Sequence, residues 1–330
     1  MKETISYYIE NNSCIYAAYL DNEKAFNGVW ITGLLYKLFN IGVRGRYWRI
    51  IKSSYQDIVS SVFFNGVYSE SCQIKQGVGQ GRTLSSWMFL AMINDLIPEL
   101  ISLGKGAVVN DSHIPCILIA DDTSLISPTL SGLRAMLDTV GEYASKWRLK
   151  YNASKSCFMI FGGKKHRYGN KSFNISLNGT ALERVFNVKY AGIDIDCNLR
   201  IRNAVSSRCK KGLTVVNSLA PVGFTSSGMS PSHAIKIWEK VVIPIILYGS
   251  ELWSEMTKQS ICELEITQRY AARRIQGLDR RSSKEATTVL LGLLRMSTRI
   301  ERSKLTLLNK FLYETEEFIW KKVFEQNRSG

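Results

Sequence analysis

The chain has 330 residues, of which 45% are apolar and 22% charged, and its formal net charge is +15. This length predicts two domains, and this composition excludes disordered, collagen-like and coiled-coil proteins. The longest apolar run, residues 241–248, is too short to span a bilayer. Residues 1–20 lack the apolar core and cleavage site of a secretory signal, so we expect no membrane partner.

Cysteines and histidines give no sign of a disulfide framework or a structural metal site. The seven cysteines are scattered, odd in number and without a C-x-x-C spacing. This pattern favours a reducing intracellular compartment, the nucleus or the cytoplasm. None of the three histidines stands near a cysteine at ligand spacing, which argues against structural zinc.

The positive charge is concentrated in the later part of the chain. Residues 1–150 contain 14 Lys and Arg against 13 Asp and Glu, whereas residues 151–330 contain 29 against 15. An asymmetry of this kind favours a polyanionic partner for the second part, most often a nucleic acid. The alternative is a basic surface that serves only solubility.

The first predicted elements alternate between helix and strand. Weak helical character over residues 1–12 precedes an apolar run, 14–20, that is typical of a buried strand and ends at Asp21. Apolar residues at helical spacing then predict helices over 29–40 and 47–55.

Two hairpins and a glycine-rich loop are predicted next. The dipeptide Asn65-Gly66, which suits a type I′ turn, lies between two strand-like runs. The loop KQGVGQGRT follows and leads into an apolar helix over 84–101. In PCILIADDTSLIS, two apolar runs meet across Asp121 and Asp122, which predicts a second hairpin with its turn at these aspartates.

After this hairpin the pattern changes from mixed to helical. Residues 130–147 form an amphipathic helical pattern. Short strand-like pieces follow at 157–161, 173–177 and 188–193, and beyond about residue 199 only helical patterns remain, interrupted by a loop at 220–231. The predicted domains are therefore residues 1–197 and 198–330.

Three carboxylates stand where apolar strands end. Asp21 follows the first strand, and Asp121 and Asp122 occupy the turn of the second hairpin. A buried strand that ends in a carboxylate must direct that charge to water, a partner or a metal. Three such carboxylates could hold two Mg²⁺ ions, which prefer hard oxygen ligands together with substrate phosphate oxygens. Taken alone, an Asp-Asp pair is also expected by chance in a chain of this length.

The residues around these aspartates resemble the reverse transcriptase motifs of non-LTR (LINE-type, jockey-like) retrotransposons. The resemblance rests on the order and spacing of the motifs YLDNEKAF, QGVGQGRTLS, IADD, WRLKYNASKS and VKYAG. It continues in IWEKVVIPIILYGSELW and LEITQRYAARRIQG, which are similar to the region that follows the polymerase palm in these elements. It therefore covers most of the chain.

The resemblance implies a catalytic role for four residues. Asp21, Asp121 and Asp122 match the aspartates that bind two Mg²⁺ ions, with Mn²⁺ as a possible substitute. Lys155 matches the basic residue of the N-x-x-K motif, placed to donate a proton to the departing pyrophosphate. A solvated surface lysine is the alternative at this position.

The resemblance also implies a set of substrate-binding residues. Phe26 matches the bulky residue that crowds the sugar 2′ position, so that deoxynucleotides are preferred; its alternative role is that of a core aromatic. Gln80 and Gly81 match the turn that approaches the template and the incoming base; an ordinary loop is the alternative. Tyr190 and Gly192 match the short strand that supports the primer end.

The fold that the resemblance implies is α+β: a right-hand polymerase palm with an antiparallel sheet and packing helices, followed by an all-helical thumb. The implied function is RNA-directed DNA synthesis on an RNA template from a DNA primer, with deoxynucleoside triphosphates as substrates. A catalytically inactive nucleic-acid-binding remnant is the alternative. A metal-dependent hydrolase acting on other substrates is a third reading, but the scattered histidines indicate no general base for it. The oligomeric state is not indicated.

Departures from the family pattern favour the remnant. The aromatic residue usual before Ala-Asp-Asp is Ile119, and the usual Asp after the Ala-Phe pair is Asn27. Gly79, Thr83 and Ser86 replace an arginine and two prolines of the middle motif. Because the chain begins about twenty residues before Asp21, we also expect most of the fingers to be missing and the chain alone to be inactive.

Overall fold

The computed structural model describes residues 1–162, 173–254 and 256–313. The chain forms two compact units, Glu3–Phe186 and Asn187–Gly330, each with its own apolar core. The two units thus divide after Phe186. The predicted domains, 1–197 and 198–330, rest on the change from mixed to helical sequence pattern and stay a prediction.

Helices and strands alternate along the first unit. In chain order they are α1 (Lys2–Glu10), β1 (Ile15–Asp21), α2 (Ile31–Asn40), α3 (Gly45–Ser54), β2 (Val59–Ser60), β3 (Phe63–Phe64), β4 (Val67–Tyr68), β5 (Cys72–Gln73), α4 (Ser85–Ile93), α5 (Leu96–Ser102), β6 (Ala107–Val109), β7 (Ser112–Ile114), β8 (Cys116–Ile119), β9 (Asp122–Ser127), α6 (Leu130–Trp147), β10 (Cys157–Phe161), β11 (Ser176–Leu177), β12 (Thr180–Ala181) and β13 (Glu183–Arg184). The unit is therefore a mixed structure of helix and sheet.

A five-stranded sheet forms the centre of this unit, in the order β13-β10-β1-β9-β8. Neighbouring strands are antiparallel except for β10 and β13, which are parallel. Strand β1 lies in the middle and is buried along its length except at Asp21. Burial on both faces explains why its sequence is continuously apolar rather than alternating.

Helix α6 covers this sheet. It contacts β9 and β1, and the stripe formed by Leu133, Met136, Leu137 and Val140 is fully buried. The helix begins where the Thr129 hydroxyl accepts a hydrogen bond from the backbone N–H of Gly132, the usual arrangement of an N-cap. The predicted amphipathic helix over 130–147 is confirmed.

A charged cluster around the buried Lys37 joins α2, α6 and the start of α5. The Lys37 side chain on α2 is only 4% exposed, and its Nζ lies 2.6 Å from Asp95 Oδ1 and 3.8 Å from the ring centroid of Trp147. The Tyr143 hydroxyl on α6 also donates to Asp95. Burial lowers the pKa of Lys37 to about 8 and raises that of Tyr143.

The hairpin predicted at Asn65-Gly66 is confirmed. Phe63 pairs with Tyr68, and the turn residues have φ angles of +47° and +82°, the two positive values that a type I′ turn requires. Strands β2 and β5 continue this hairpin, and the residues of all four strands are exposed.

Some predicted elements differ from the structure; among them, the strand expected over 173–177 is only Ser176–Leu177. The helix expected over 84–101 is divided into α4 and α5, because Pro98 has no N–H to donate to the carbonyl of Asn94 four residues earlier. The strand expected over 188–193 is a hairpin, in which β14 (Asn187–Tyr190) pairs with β15 (Ile193–Asp196).

The second unit consists of this hairpin and a set of helices. The α-helices are Arg202–Ser218, Pro231–Ile237, Ile243–Ile246, Lys258–Gln276, Lys284–Val289 and Met296–Tyr313, with a π-helical turn at Trp238–Val242 and a 3₁₀ turn at Ser250–Leu252. Their core is built around Trp238, which is fully buried. No helix in the described ranges has both the length and the apolarity needed to cross a membrane.

The seven cysteines are free thiols. Cys72 on β5 and Cys262 on the helix Lys258–Gln276 are exposed, and the others are half-buried or buried.

Candidate active site

Asp21 and Asp122 face each other across the two central strands of the sheet. They are direct partners in the pairing of β1 with β9. The backbone N–H of Asp21 donates to Ser156 Oγ at 3.1 Å, and its carbonyl accepts from the N–H of Asn152 at 2.8 Å. Since both groups point away from β9, this is a non-hydrogen-bonded pair, the type in which opposite side chains come closest.

Asp121 is held differently. The two-residue turn between Ile119 and Asp122 consists of Ala120 and Asp121, and Asp121 is exposed. The turn thus lies one residue earlier than predicted, and Asp122 belongs to the strand. Ala120 closes the turn with a φ of +53°, an angle that residues with a Cβ adopt at a cost.

The carboxylate oxygens fit a divalent cation by their chemistry. Opposed acidic side chains repel each other, and Mg²⁺ prefers hard oxygen ligands. Across the described residues, neither Asp21 nor Asp121 takes part in an ion pair. In the same part of the chain, no group of three or more acidic, His or Cys side chains is gathered to hold a metal. The structure therefore pairs Asp21 with Asp122 in the sheet register and places Asp121 in the adjoining turn, and the set of three ligands stays a prediction.

Lys155 lies in a tight turn that is attached to the end of β1. The carbonyl of Asn152 accepts hydrogen bonds from the N–H groups of Lys155, at 3.2 Å, and of Ser156, at 2.9 Å. Asn152 Oδ1 accepts from the N–H of Ser154 at 3.1 Å, which closes an Asx turn. The Lys155 side chain is exposed and, within the described residues, forms no ion pair with an aspartate, so its role as proton donor stays a prediction.

Phe26 is joined to the glycine-rich loop through its backbone. Its carbonyl accepts from the N–H of Val78 at 2.8 Å, and its half-buried ring lies 5.5 Å from that of Phe89. Gly77 makes this contact possible, because a Cβ there would lie 2.9 Å from the carbonyl oxygen of Asn27. Motif reasoning did not find Val78 or Phe89.

Gln80 and Gly81 lie at the exposed end of this loop. Gly81 has a φ of +78°, and no atom lies within 4 Å of the position its Cβ would take. The turn therefore leaves its backbone open to an approaching molecule. Its role in template binding stays a prediction.

Tyr190 and Gly192 belong to the β14–β15 hairpin of the second unit. Tyr190 is buried, and Gly192 forms the turn with Ala191. The guanidinium of Arg208 donates to the carbonyl of Gly192, and the Tyr248 hydroxyl donates to that of Ala191 at 3.0 Å. The hairpin tip is thus fixed by Tyr248, which belongs to the motif IWEKVVIPIILYGSELW, and by Arg208, which motif reasoning did not single out.

Comparison with known proteins decides the family. The sequence profile described as reverse transcriptase (RNA-dependent DNA polymerase) matches residues 2–195, which include Asp21, Asp121 and Asp122. The chain belongs to the reverse transcriptase family. The predicted resemblance to the enzymes of non-LTR retrotransposons is confirmed by the similarity of this chain to the relatives described next.

Three relatives of this chain come from mobile elements of insects. The RNA-directed DNA polymerase from mobile element jockey of Drosophila melanogaster is 26% identical over 275 residues, 82% of this chain and 29% of that protein. The probable RNA-directed DNA polymerase from transposon BS of the same species is 24% identical over 78% of this chain and 28% of that protein. The Pol polyprotein from the type-1 retrotransposable element R2 of Bradysia coprophila is 25% identical over 79% and 29%. This chain thus spans less than a third of each.

Among solved structures, the chain is similar to telomerase from Candida tropicalis in complex with a fragment of telomeric RNA. The match covers 98% of this chain and 52% of that one, with 12% identity and a TM-score of 0.44. Apo telomerase from the same organism matches with 13% identity over 98% of this chain and 56% of that one, also with a TM-score of 0.44.

Proposed function

We propose that the chain is the polymerase region of a non-LTR retrotransposon reverse transcriptase and extends a DNA primer on an RNA template. The opposed pair of Asp21 and Asp122, within the segment that matches the reverse transcriptase family, carries this proposal. In it, residues 1–197 are the palm and residues 198–330 the helical thumb. The chain acts inside the cell, in the nucleus and the cytoplasm.

Asp21, Asp121 and Asp122 are the proposed ligands of two Mg²⁺ ions, which Mn²⁺ can replace. When bound, such ions supply charge neutralisation at the reacting phosphate and activation of the attacking hydroxyl. Asp21 and Asp122 provide opposed ligands from two strands, and Asp121 provides a third from the adjoining turn. The rest of catalysis by the chain is positioning of the reactants.

The remaining residues act on the nucleotide and the nucleic acid. Phe26 excludes a 2′-hydroxyl; its backbone is bonded to the glycine-rich loop and its ring lies 5.5 Å from that of Phe89, which supports a fixed position. Lys155 donates a proton to pyrophosphate from a turn that is bonded to Asp21. The proposed partners are an RNA template, a DNA primer and deoxynucleoside triphosphates, with the basic second unit following the backbone phosphates.

Primer extension tests the proposal. The jockey protein with its matching segment replaced by this chain is given poly(rA)–oligo(dT), Mg²⁺ and dTTP. We expect this chimera to extend the primer and its Asp122→Asn variant to show no extension. Binding of the hybrid, measured in parallel, should be the same in both proteins. Extension that persists in the Asp122→Asn variant would contradict the assigned site.

A binding remnant is the second candidate, because the structure does not gather the three carboxylates into one ligand set. If the jockey protein that carries this chain binds the hybrid but shows no extension, this candidate is favoured. In that case the affinity should fall steeply with salt, since counterion release supplies much of the binding free energy. Binding that is independent of salt would leave the basic charge as a solubility feature.

A further inference from the structure

We infer that Ser156 is a positioning residue that sets the orientation of the Asp21 carboxylate for a divalent cation. This inference rests on the proposed function, in which Asp21 is a metal ligand. Ser156 does not itself contact the cation in this scheme. It acts through the backbone of Asp21, with which its hydroxyl forms a hydrogen bond.

The sheet leaves a gap that the Ser156 hydroxyl fills. Pairing of β1 with β10 ends at Tyr19 opposite Cys157, two residues before Asp21. The N–H of Asp21 points to this side, where no strand remains to accept its hydrogen bond. Ser156 Oγ accepts this hydrogen bond at 3.1 Å, in place of the backbone carbonyl that a continued strand would offer.

Ser156 is itself held in place. It is 2% exposed, and its hydroxyl donates to the carbonyl of Asn152 at 2.7 Å while it accepts from Asp21. A serine hydroxyl has one proton to donate, so this donation fixes the direction of its lone pairs. The acceptor is therefore aimed at Asp21 rather than free to rotate.

The same turn binds the other backbone group of Asp21. The carbonyl of Asp21 accepts from the N–H of Asn152 at 2.8 Å. Both backbone polar groups of the aspartate are thus bound within one turn, Asn152–Ser156, which holds the Cα–Cβ bond on the face shared with Asp122. Removal of the hydroxyl leaves the N–H at a half-buried strand end without its partner and loosens this orientation.

Groups that orient a metal ligand through hydrogen bonds typically change metal affinity by about 10- to 100-fold when they are removed. The backbone contact of Ser156 is less direct than a contact to the carboxylate itself. We therefore expect Ser156→Ala to weaken cation binding by about tenfold, at the lower end of that range.

Mn²⁺ binding to the 330-residue chain, followed by electron paramagnetic resonance of the free ion, measures this effect. Ser156→Thr keeps the hydroxyl and should bind Mn²⁺ within about twofold of the wild type. Ser154→Ala is the matched control: its hydroxyl lies in the same turn, 2.6 Å from Asn152 Oδ1, but does not reach Asp21. It should leave Mn²⁺ affinity unchanged.

A second readout separates orientation from stability. With ¹⁵N-labelled aspartate, the amide resonance of Asp21 should move in Ser156→Ala and stay in Ser154→Ala, because only the first variant removes its acceptor. If Ser156→Ala does not fold, Ser156→Cys decides, since it keeps the volume but offers sulfur, a weak acceptor. An unmoved resonance in the folded variant would overturn the inference.

The Asp21→Asn variant distinguishes this inference from the proposed function. If Asp21→Asn leaves Mn²⁺ binding unchanged, the metal site of the proposed function is wrong. If Asp21→Asn weakens binding but Ser156→Ala does not, the site stands and the positioning role of Ser156 is wrong. The role would also be wrong if Ser156→Thr bound Mn²⁺ as weakly as Ser156→Ala while its melting temperature equalled that of the wild type.

Discussion

The end of β1 and the tip of the β8–β9 hairpin carry neighbouring carboxylates but hold them in different ways. At the end of β1, both backbone polar groups of Asp21 are bound by the turn Asn152–Ser156. At the hairpin tip, Asp121 is exposed in a two-residue turn whose first residue, Ala120, has a positive φ. One position is thus set by the fold, whereas the other is free to adjust.

This difference predicts the order in which the site forms. The pair of Asp21 and Asp122 is present as soon as the sheet is paired, because the two residues belong to its register. Asp121 lies outside that register, so we expect its position to depend on what binds there. Four substitutions, from the largest expected effect to the smallest, test how firmly each region is held.

Gly77→Ala should have the largest effect, because it disturbs the segment that follows β1. Gly77 has a φ of +97°, and a Cβ would lie 2.9 Å from the carbonyl oxygen of Asn27 and 3.0 Å from its Cα. Backbone atoms cannot move aside as a flexible side chain can. We expect a loss of about 3 kcal/mol in the free energy of unfolding, measured by urea denaturation.

Gly81→Ala is the control for this substitution. Gly81 also has a positive φ but nothing within 4 Å of the added Cβ, so it should lose only about 1 kcal/mol. Equal losses in the two variants would contradict the close packing of the loop on residues 26–29.

Lys37→Met tests the charged cluster around Lys37 through its pH dependence. Because the pKa of Lys37 is lowered from 10.5 to about 8, the unfolded chain binds more protons than the native state between these values. The contribution of Lys37 to stability therefore rises with pH over this window. From pH 7 to pH 9.5, the stability of the wild type relative to the variant should increase by about 1–2 kcal/mol.

The raised pKa of Tyr143 acts in the opposite sense above pH 10, which is why the comparison ends at pH 9.5. A flat difference for Lys37→Met would show that its charge is not suppressed by burial.

Asp122→Asn should remove part of the stability that Mg²⁺ confers, because it takes away one of the two opposed carboxylates proposed to bind the ion. The loss should be about 1 kcal/mol when Mg²⁺ is present at about four times its Kd. Asp138→Asn, which changes an exposed carboxylate on α6, should keep the gain in melting temperature that Mg²⁺ gives the wild type. Thermal unfolding in EDTA and in Mg²⁺ measures both differences, and an equal gain in Asp122→Asn would contradict the assigned ligand.

Ala120→Gly should give the smallest change, a gain of about 0.5 kcal/mol. Glycine adopts the φ of +53° without strain, but it also increases the entropy of the unfolded chain, which offsets part of the benefit. Ala135→Gly, within α6, should lose about 1 kcal/mol by contrast. A destabilised Ala120→Gly variant would show that the hairpin tip is held more firmly than its exposure indicates.

Local patterns predicted much of the fold. The continuous apolar run of β1 and the Asn65-Gly66 turn specify their structures through nearby residues alone. The break between α4 and α5 was also readable, since Pro98 lies inside the expected helix. The hairpin turn was displaced by one residue, because two adjacent aspartates suggest a turn but do not determine which of them pairs.

Long-range hydrogen bonds account for what the sequence did not reveal. The contact between Ser156 and Asp21 joins residues 135 positions apart, and no periodicity records it. Lys37 carried a usable signal: it stands three residues after Leu34 on the buried stripe of α2, where a lysine needs a partner. Asp95 was that partner, but helical spacing cannot identify a residue on another element.

The distribution of the thiols makes the chain suitable for site-selective labelling. Cys72 and Cys262 are its exposed cysteines, one in each compact unit. Burial raises the pKa of Cys116 and Cys157 to about 11, so these thiols stay protonated and unreactive near neutral pH. With Cys14 and Cys197 replaced by serine, a donor dye and an acceptor dye on the two exposed thiols would report, by energy transfer, how the distance between residues 72 and 262 responds to an added RNA–DNA hybrid.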